Sequence, residues 1–209
     1  DAFPNTITER KIELLARLPI ALISMGIQSG CQDTLRNLYN RPTPVETIAR
    51  AIGIISKHGL PAEYHYLVAN PFESDQSRVE TLRFVADHHR GPAKVRVFPL
   101  VFYPGAQLYE RAREEGVIGP HHEEAYRLSY RGKRFIKRFA YLEIWLVVAL
   151  ALRGLGTPPR HVHRLIDLAL KPWVRRRLDK PWFPTTVFGV YRIGRVLYRN
   201  LLSRPAQLG

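Results

Sequence analysis

Strand-like apolar runs and segments of helical period alternate three times in the first part of the chain. The predicted strands are 21–25, 64–68 and 95–102, and the helices that follow them are predicted at 45–57, 77–88 and 108–115. Each run is followed by glycine, proline or asparagine, and each helical segment repeats its apolar side chains every three or four residues. Serial pairs of this kind need right-handed crossovers between parallel strands, which predicts a parallel sheet covered by helices. A complete or partial barrel and an open doubly wound sheet both satisfy the pattern.

The carboxyl ends of the predicted strands are where a ligand is expected to bind, since parallel β/α proteins place their sites there. The loops concerned are 26–30, 69–73 and 103–107. In the first loop, Gly26 and Gly30 allow the backbone to approach a ligand closely. Arg41, further along, can bind a carboxylate through a bidentate pair. The sequence therefore predicts a ligand pocket at this edge of the sheet.

Three motifs along the chain resemble those of the radical S-adenosylmethionine (SAM) family. They are GIQSG at 26–30 followed by a helix and Asn40-Arg41, ANPFES at 69–74, and YPGA at 103–106 followed by Leu108-Tyr109. They are similar to the fourth, fifth and sixth β/α units of the radical SAM barrel and cover roughly residues 8–118. The resemblance implies an α/β fold in which residues 1–120 form the last three units of the barrel. Residues 121–209 would then be a basic helical extension.

The resemblance also implies cofactors. In the family, a [4Fe-4S] cluster binds SAM, and one electron cleaves SAM to a 5'-deoxyadenosyl radical. The Asn70-Pro71 variant and the basic, aromatic tail are most similar to members that carry a cobalamin-binding domain ahead of the barrel, so cobalamin and methyl transfer are implied as well.

Site residues follow from the resemblance by position. Gln28 and Ser29 are expected to line the SAM pocket and Arg41 to face the SAM carboxylate, although Arg41 could instead cap the helix before it. Asn70 would approach the ribose and methionine. The adenine would be flanked by Tyr103, Pro104 and Gly105.

Two residues depart from the family pattern. His65 stands where the family often has an acidic residue, and Ala69 stands where it has Asp or Gly. A neutral imidazole can still accept one hydrogen bond from a ribose hydroxyl, so His65 is kept as a candidate, with an ordinary strand histidine as the alternative.

The cluster-binding CxxxCxxC loop has no counterpart in the chain. Cys31 is its one cysteine, which also excludes an internal disulfide framework. Adjacent histidines such as His88-His89 and His121-His122 point in different directions on a helix, so no metal site is predicted. The chain, which begins at Asp1, is therefore expected to be a fragment, inactive alone and completed by an N-terminal half-barrel and a cobalamin-binding domain.

Positive charge is concentrated after residue 120. Residues 1–120 hold 14 Lys/Arg and 13 Asp/Glu, whereas residues 121–209 hold 18 and 5 together with all three tryptophans. Such a surface suits an anionic membrane, a docking surface for the missing domains or a substrate lid, or nucleic acid, although no nucleic-acid motif accompanies the charge. The basic candidates are Arg131, Lys133, Arg134, Lys137, Arg138, Arg175, Arg176, Arg177, Arg192, Arg195 and Arg199.

The longest apolar run, residues 144–152, is shorter than the roughly 20 residues that span a bilayer. A cytoplasmic protein that can associate with a membrane surface is expected. Two other interpretations stay open, a non-catalytic SAM-fold module that acts at a membrane and a different β/α-barrel enzyme.

Overall fold

The computed structural model describes residues 1–90, 93–119 and 139–190. Three parallel strands form one sheet in the order β1–β2–β3, with bounds Ile23–Gln28, Ala62–Val68 and Lys94–Pro99. The helices of this part are α1 (Glu9–Leu15), α2 (Val45–Lys57), α3 (Asp75–His88) and α4 (Gln107–Glu114). The predicted α/β fold is confirmed, and the three β/α units fit a partial barrel followed by a helical extension.

Helix α2 shows how the sequence builds these units. Its buried side chains include Ile48, Ile52 and Ile55, which recur at intervals of four and three and so share one face. Burial of each isoleucine contributes about 1.5–3 kcal/mol. The helix ends shortly before Gly59, whose φ of 64° is a conformation that glycine adopts without strain.

Strand β2 separates the core from the site. Tyr64, Tyr66 and Val68 are buried in the hydrophobic core, while His65 and Leu67 alternate with them and point to the other face of the sheet. A short π-helix, Thr34–Leu38, follows the loop after β1. Such segments are rare and are often found at functional sites.

The helical extension comprises α5 (Tyr141–Gly154), α6 (Pro159–Ala169) and α7 (Pro172–Leu178), and residues 182–190 are also helical. Helix α5 is apolar on most of its surface because it lies against both α3 and α6. None of the helices in the described ranges has the length and apolar character to cross a membrane.

Some predictions fall on residues outside the described ranges. These are the domain boundary at residue 120, the pair His121-His122 and the basic residues of 131–138 and 192–199. They stay predictions.

Candidate functional site

A cleft of about 730 Å³ opens at the carboxyl ends of the three strands. One part of its wall is polar and is lined by Ser24, Gln28, Tyr39, Arg41, His65 and Tyr103. The other part is mainly apolar and includes Phe3, Leu38, Leu67, Phe102 and Leu108. Both the volume and the mixture of an apolar wall with a few polar groups are typical of small-molecule sites.

Gln28 ends β1 in a strained conformation. Its φ is 64°, in the left-handed region that non-glycine residues rarely adopt, and the register of β1 against β2 shifts between Gly26 and Gln28. Its side chain folds back over Gly26, where an added Cβ would lie 2.7 Å from Nε2 of Gln28. The buried Oε1 atom accepts no hydrogen bond from the described residues. This acceptor is therefore covered by its surroundings and has no partner, although Gln28 lines the cleft.

The side chain of Arg41 also extends to Gly26. Its Nη1 donates a hydrogen bond to the carbonyl oxygen of Gly26 at 3.1 Å, and its backbone N–H donates to the carbonyl of Leu35 at 2.8 Å. Burial lowers the pKa of the guanidinium, which nonetheless stays charged. The side chain therefore faces the cleft and does not cap the preceding helical segment. A guanidinium has five N–H donors, so further donors remain for an anionic group.

His65 is held within the wall of the cleft. Its Nε2 lies 2.9 Å from Oε1 of Glu63 and 3.4 Å from Oγ of Ser24. Glu63 also pairs with Arg96, whose Nε lies 2.9 Å from Oε2. The hydrogen bond with His65, and then that with Arg96, lowers the pKa of Glu63. His65 is therefore a hydrogen-bonded strand histidine that also lines the cleft, and its contact with a ribose stays a prediction.

Ser29 is buried away from the lining of the cleft. Its Oγ lies 2.9 Å from Oγ1 of Thr81 in α3 and accepts a hydrogen bond from the N–H of Cys31. Next to it, a Cβ added to Gly30 would lie 2.4 Å from Cβ of Phe84. The loop after β1 is thus fixed directly against α3.

Asn70 is completely buried and contacts the cleft through a neighbour. Its Nδ2 donates to the hydroxyl of Tyr39 at 3.2 Å, and its Oδ1 accepts from the N–H of Phe72. Pro104 and Gly105 are exposed and lie outside the lining. Of the eight predicted residues, the lining therefore includes Gln28, Arg41, His65 and Tyr103. Ligand binding by all eight stays a prediction.

A buried polar cluster that the sequence did not predict surrounds Glu143 and Arg78. Glu143 of α5 accepts hydrogen bonds from the N–H of Ala69 and from Nε of Arg78 through Oε1, and from the N–H of Ala140 through Oε2. Arg78 also donates to the carbonyl of Asn70 at 2.9 Å. The one signal in the sequence was an acidic residue inside an otherwise apolar helix.

Glu73 lies in the same cluster and is buried. Its Oε1 accepts a hydrogen bond from Oγ1 of Thr34 at 3.3 Å. Burial raises the pKa of Glu73 to about 7, Arg78 opposes the rise and Glu143 adds to it. Glu73 thus takes up a proton much more readily than an ordinary surface carboxylate.

No metal centre is formed by the described residues, in which no three His, Cys, Asp or Glu side chains come together as ligands. Cys31 is buried, with 1% of its surface exposed. The prediction that the chain lacks ligands for an iron–sulfur cluster rests on its one cysteine, because such a cluster needs several thiolates.

Comparisons with known proteins complete the description. No family model and no curated protein matches the chain. Among solved structures, it is similar to the archaeal Methanocaldococcus infernus Elp3 with its N-terminal residues 1–46 deleted, at 23% identity and a TM-score of 0.43. The similarity covers 55% of this chain and 27% of the Elp3 chain. A likeness of this extent carries no inference about function. The fold and the cleft define the chain as an α/β protein of parallel β/α units with a small-molecule cleft at the strand ends.

Proposed function

We propose that this chain forms the SAM-binding part of a radical SAM enzyme. The observation that carries the proposal is the convergence of Gln28 and Arg41 on Gly26, at the end of β1. This is the strand whose GIQSG motif resembles the family. The YPGA motif and the strand before ANPFES border the same cleft through Tyr103 and His65.

The groups in the wall of the cleft fit the chemistry of SAM. Arg41 would hold the carboxylate by charge-assisted hydrogen bonds. The unpartnered Oε1 of Gln28 is buried, and once its side chain turned toward the cleft it would accept a hydrogen bond from the amino group or a ribose hydroxyl. His65 would contact the ribose, and the apolar surface of Phe102 and Tyr103 would cover the adenine.

When bound and reduced by one electron, SAM supplies a 5'-deoxyadenosyl radical that abstracts hydrogen from a substrate. The residues of this chain would bind and orient SAM. Leu67 and Phe102 would keep water away from the sulfonium side of the cleft, while the cluster of Glu143 and Arg78 would fix the loop that carries Asn70.

The iron–sulfur cluster does not fit the residues of this chain. A single buried cysteine cannot supply three thiolates, so we derive no step through the cluster. Its ligands would lie in an N-terminal half-barrel that completes the sheet. Cobalamin dependence and methyl transfer are proposed only because of the Asn70-Pro71 variant and the basic extension. A cytoplasmic location is proposed because the chain has a single cysteine.

The test is SAM binding to the protein and to its Arg41→Ala variant. Loss of hydrogen bonds to a charged group costs about 1.5–3 kcal/mol, so the Kd should rise roughly tenfold to a hundredfold. Arg36→Ala is the matched control, because Arg36 is exposed on the π-helix that precedes Arg41 and does not line the cleft. Equal SAM affinity in wild type and Arg41→Ala would remove Arg41 from the site and the main support from the proposal.

A second candidate function is a SAM-fold module that binds its ligand without catalysing a reaction. Its support is that Gln28, Arg41 and His65, which line the cleft, are groups suited to binding. Production of 5'-deoxyadenosine from SAM under reducing conditions, with cluster present, would support the enzyme. SAM binding without cleavage would support the module.

A further inference from the structure

The outer face of α7 carries one aromatic and two cationic side chains. Val174 is buried and Leu178 packs against the core, so the helix presents its opposite side to solvent. Trp173, Arg176 and Arg177 are exposed there. Residues three and four apart are neighbours on a helix, so Trp173 lies between the two arginines. The three side chains form one patch, which we call the α7 patch.

Arg175, on the same helix, has a different role. Its Nη1 lies 2.6 Å from Oδ2 of Asp75 at the start of α3, and its Nε lies 3.4 Å from Oδ2 of Asp179. Its guanidinium also stands 5.7 Å from the centre of the Tyr141 ring. The hydrogen bond with Asp75 raises its pKa. Arg175 therefore attaches α7 to the rest of the protein. Arg176 and Arg177 have no comparable contact among the described residues.

The residues that flank α7 in sequence are also basic or aromatic. Lys171 and Lys180 are exposed on either side of α7, and Trp182 follows at the start of the next helix. Trp173 is 57% exposed, Trp182 53% and Leu168 43%. Exposing two tryptophans to water is unfavourable, because each ring has a large apolar surface. Asp179, the acidic residue within this stretch, is already paired with Arg175.

We infer that the α7 patch binds the surface of membranes that contain anionic lipids. Tryptophan rings favour the boundary between lipid and water, where the ring is buried and the N–H stays hydrated. Arginine and lysine beside them would pair with anionic headgroups, each contributing about 1 kcal/mol. The excess of basic residues after residue 120 adds a long-range attraction of the same sign. No nucleic-acid recognition motif accompanies these side chains in the sequence, which favours a lipid surface over nucleic acid. The inference is independent of SAM binding.

The test is sedimentation of the protein with vesicles of phosphatidylcholine, with and without about 30% phosphatidylserine. At about 1 kcal/mol for each arginine, the double variant Arg176→Ala/Arg177→Ala should lose roughly thirtyfold in affinity for the anionic vesicles. Trp173→Ala should also weaken binding. The matched control is Arg10→Ala/Arg17→Ala, which removes the same charge from exposed positions in and after α1. Its affinity should change less than threefold.

Three results would overturn the inference. One is equal loss of affinity in both double variants, which would show that only net charge matters. Another is equal binding to neutral and anionic vesicles, or no dependence on added salt. The third is tighter binding to duplex or single-stranded DNA, lost in the same double variant, which would assign the patch to nucleic acid. Circular dichroism of each variant ensures that the comparison concerns folded protein.

Discussion

Glu143 of α5 accepts a hydrogen bond at 2.8 Å from the backbone N–H of Ala69, at the end of β2. Ala69 has a φ of 57°, which costs an L-residue about 1–2 kcal/mol and persists where surrounding contacts enforce it. Arg78 contributes by donating to both Glu143 and the carbonyl of Asn70. The helical extension therefore shapes the loop after β2, although 74 residues separate Glu143 from Ala69 in sequence.

Replacing Glu143 tests this connection. Glu143→Ala should lower the free energy of unfolding by about 3–5 kcal/mol, because it removes the buried partner of Arg78, which keeps only the exposed Asp75, and leaves two backbone N–H groups without an acceptor. Urea denaturation measures the change. Glu115→Ala, which removes an exposed pair with Arg111, should cost less than about 1 kcal/mol. Similar losses in both variants would contradict a structural role for Glu143.

Glu73 should make stability depend on pH. Its pKa rises from 4.5 to about 7 on folding, so the native state binds more protons than the unfolded state between these values. Stability from this group is full below pH 4.5 and is lost as pH rises through 7, by on the order of 3 kcal/mol. Glu73→Gln should remove this fall in urea denaturation curves taken from pH 4.5 to 8. A fall that persists in the variant would assign it to another group.

His89 should have the opposite effect. Burial, and then Arg153, lowers its pKa from 6.5 to about 4, and neither ring nitrogen has a hydrogen-bond partner among the described residues. The unfolded state then binds more protons between pH 4 and 6.5, so stability falls as pH decreases through this range. The same curves for His89→Phe should lack this acid loss. Relative to wild type, the slopes of the two variants should therefore change in opposite directions between pH 4.5 and 6.5, and changes in the same direction would contradict one assignment.

Gln28 provides a test of backbone strain. Gln28→Gly should be more stable than Gln28→Ala by about 1 kcal/mol, because only alanine bears the cost of the left-handed conformation. Both variants lack the amide and should bind SAM equally weakly. Thermal unfolding and SAM titration separate the two effects. A more stable alanine variant would mean that the backbone relaxes once the amide is removed.

The fold could largely be predicted from local pattern, and helix α2 shows why. Its apolar stripe and the following Gly59 predict the same bounds that the structure has, Val45–Lys57. Strand β1 instead begins two residues later than predicted and continues to Gln28, because Ala21 and Leu22 are exposed whereas Ile27 is buried in the core. Apolar character alone does not distinguish these positions.

The cleft could be predicted only in part. Parallel strands bring Gln28, His65 and Tyr103 to one edge, which follows from topology. Ser29 and Asn70 turn into the protein because they find partners in Thr81 and Tyr39. These partners are distant in sequence, as Glu143 is from Ala69, so no local pattern indicates them.

The contact of Gly30 with Phe84 has a consequence for redesign of the protein. A Cβ at position 30 would lie 2.4 Å from Cβ of Phe84, and every residue but glycine has a Cβ at position 84, so replacing Phe84 by another side chain does not make room at position 30. A larger residue at position 30 would require the backbone of the loop at residues 26–30, or that of α3, to move. A library intended to change the ligand preference of this cleft should therefore keep Gly30 constant, or vary it only together with the packing of α3.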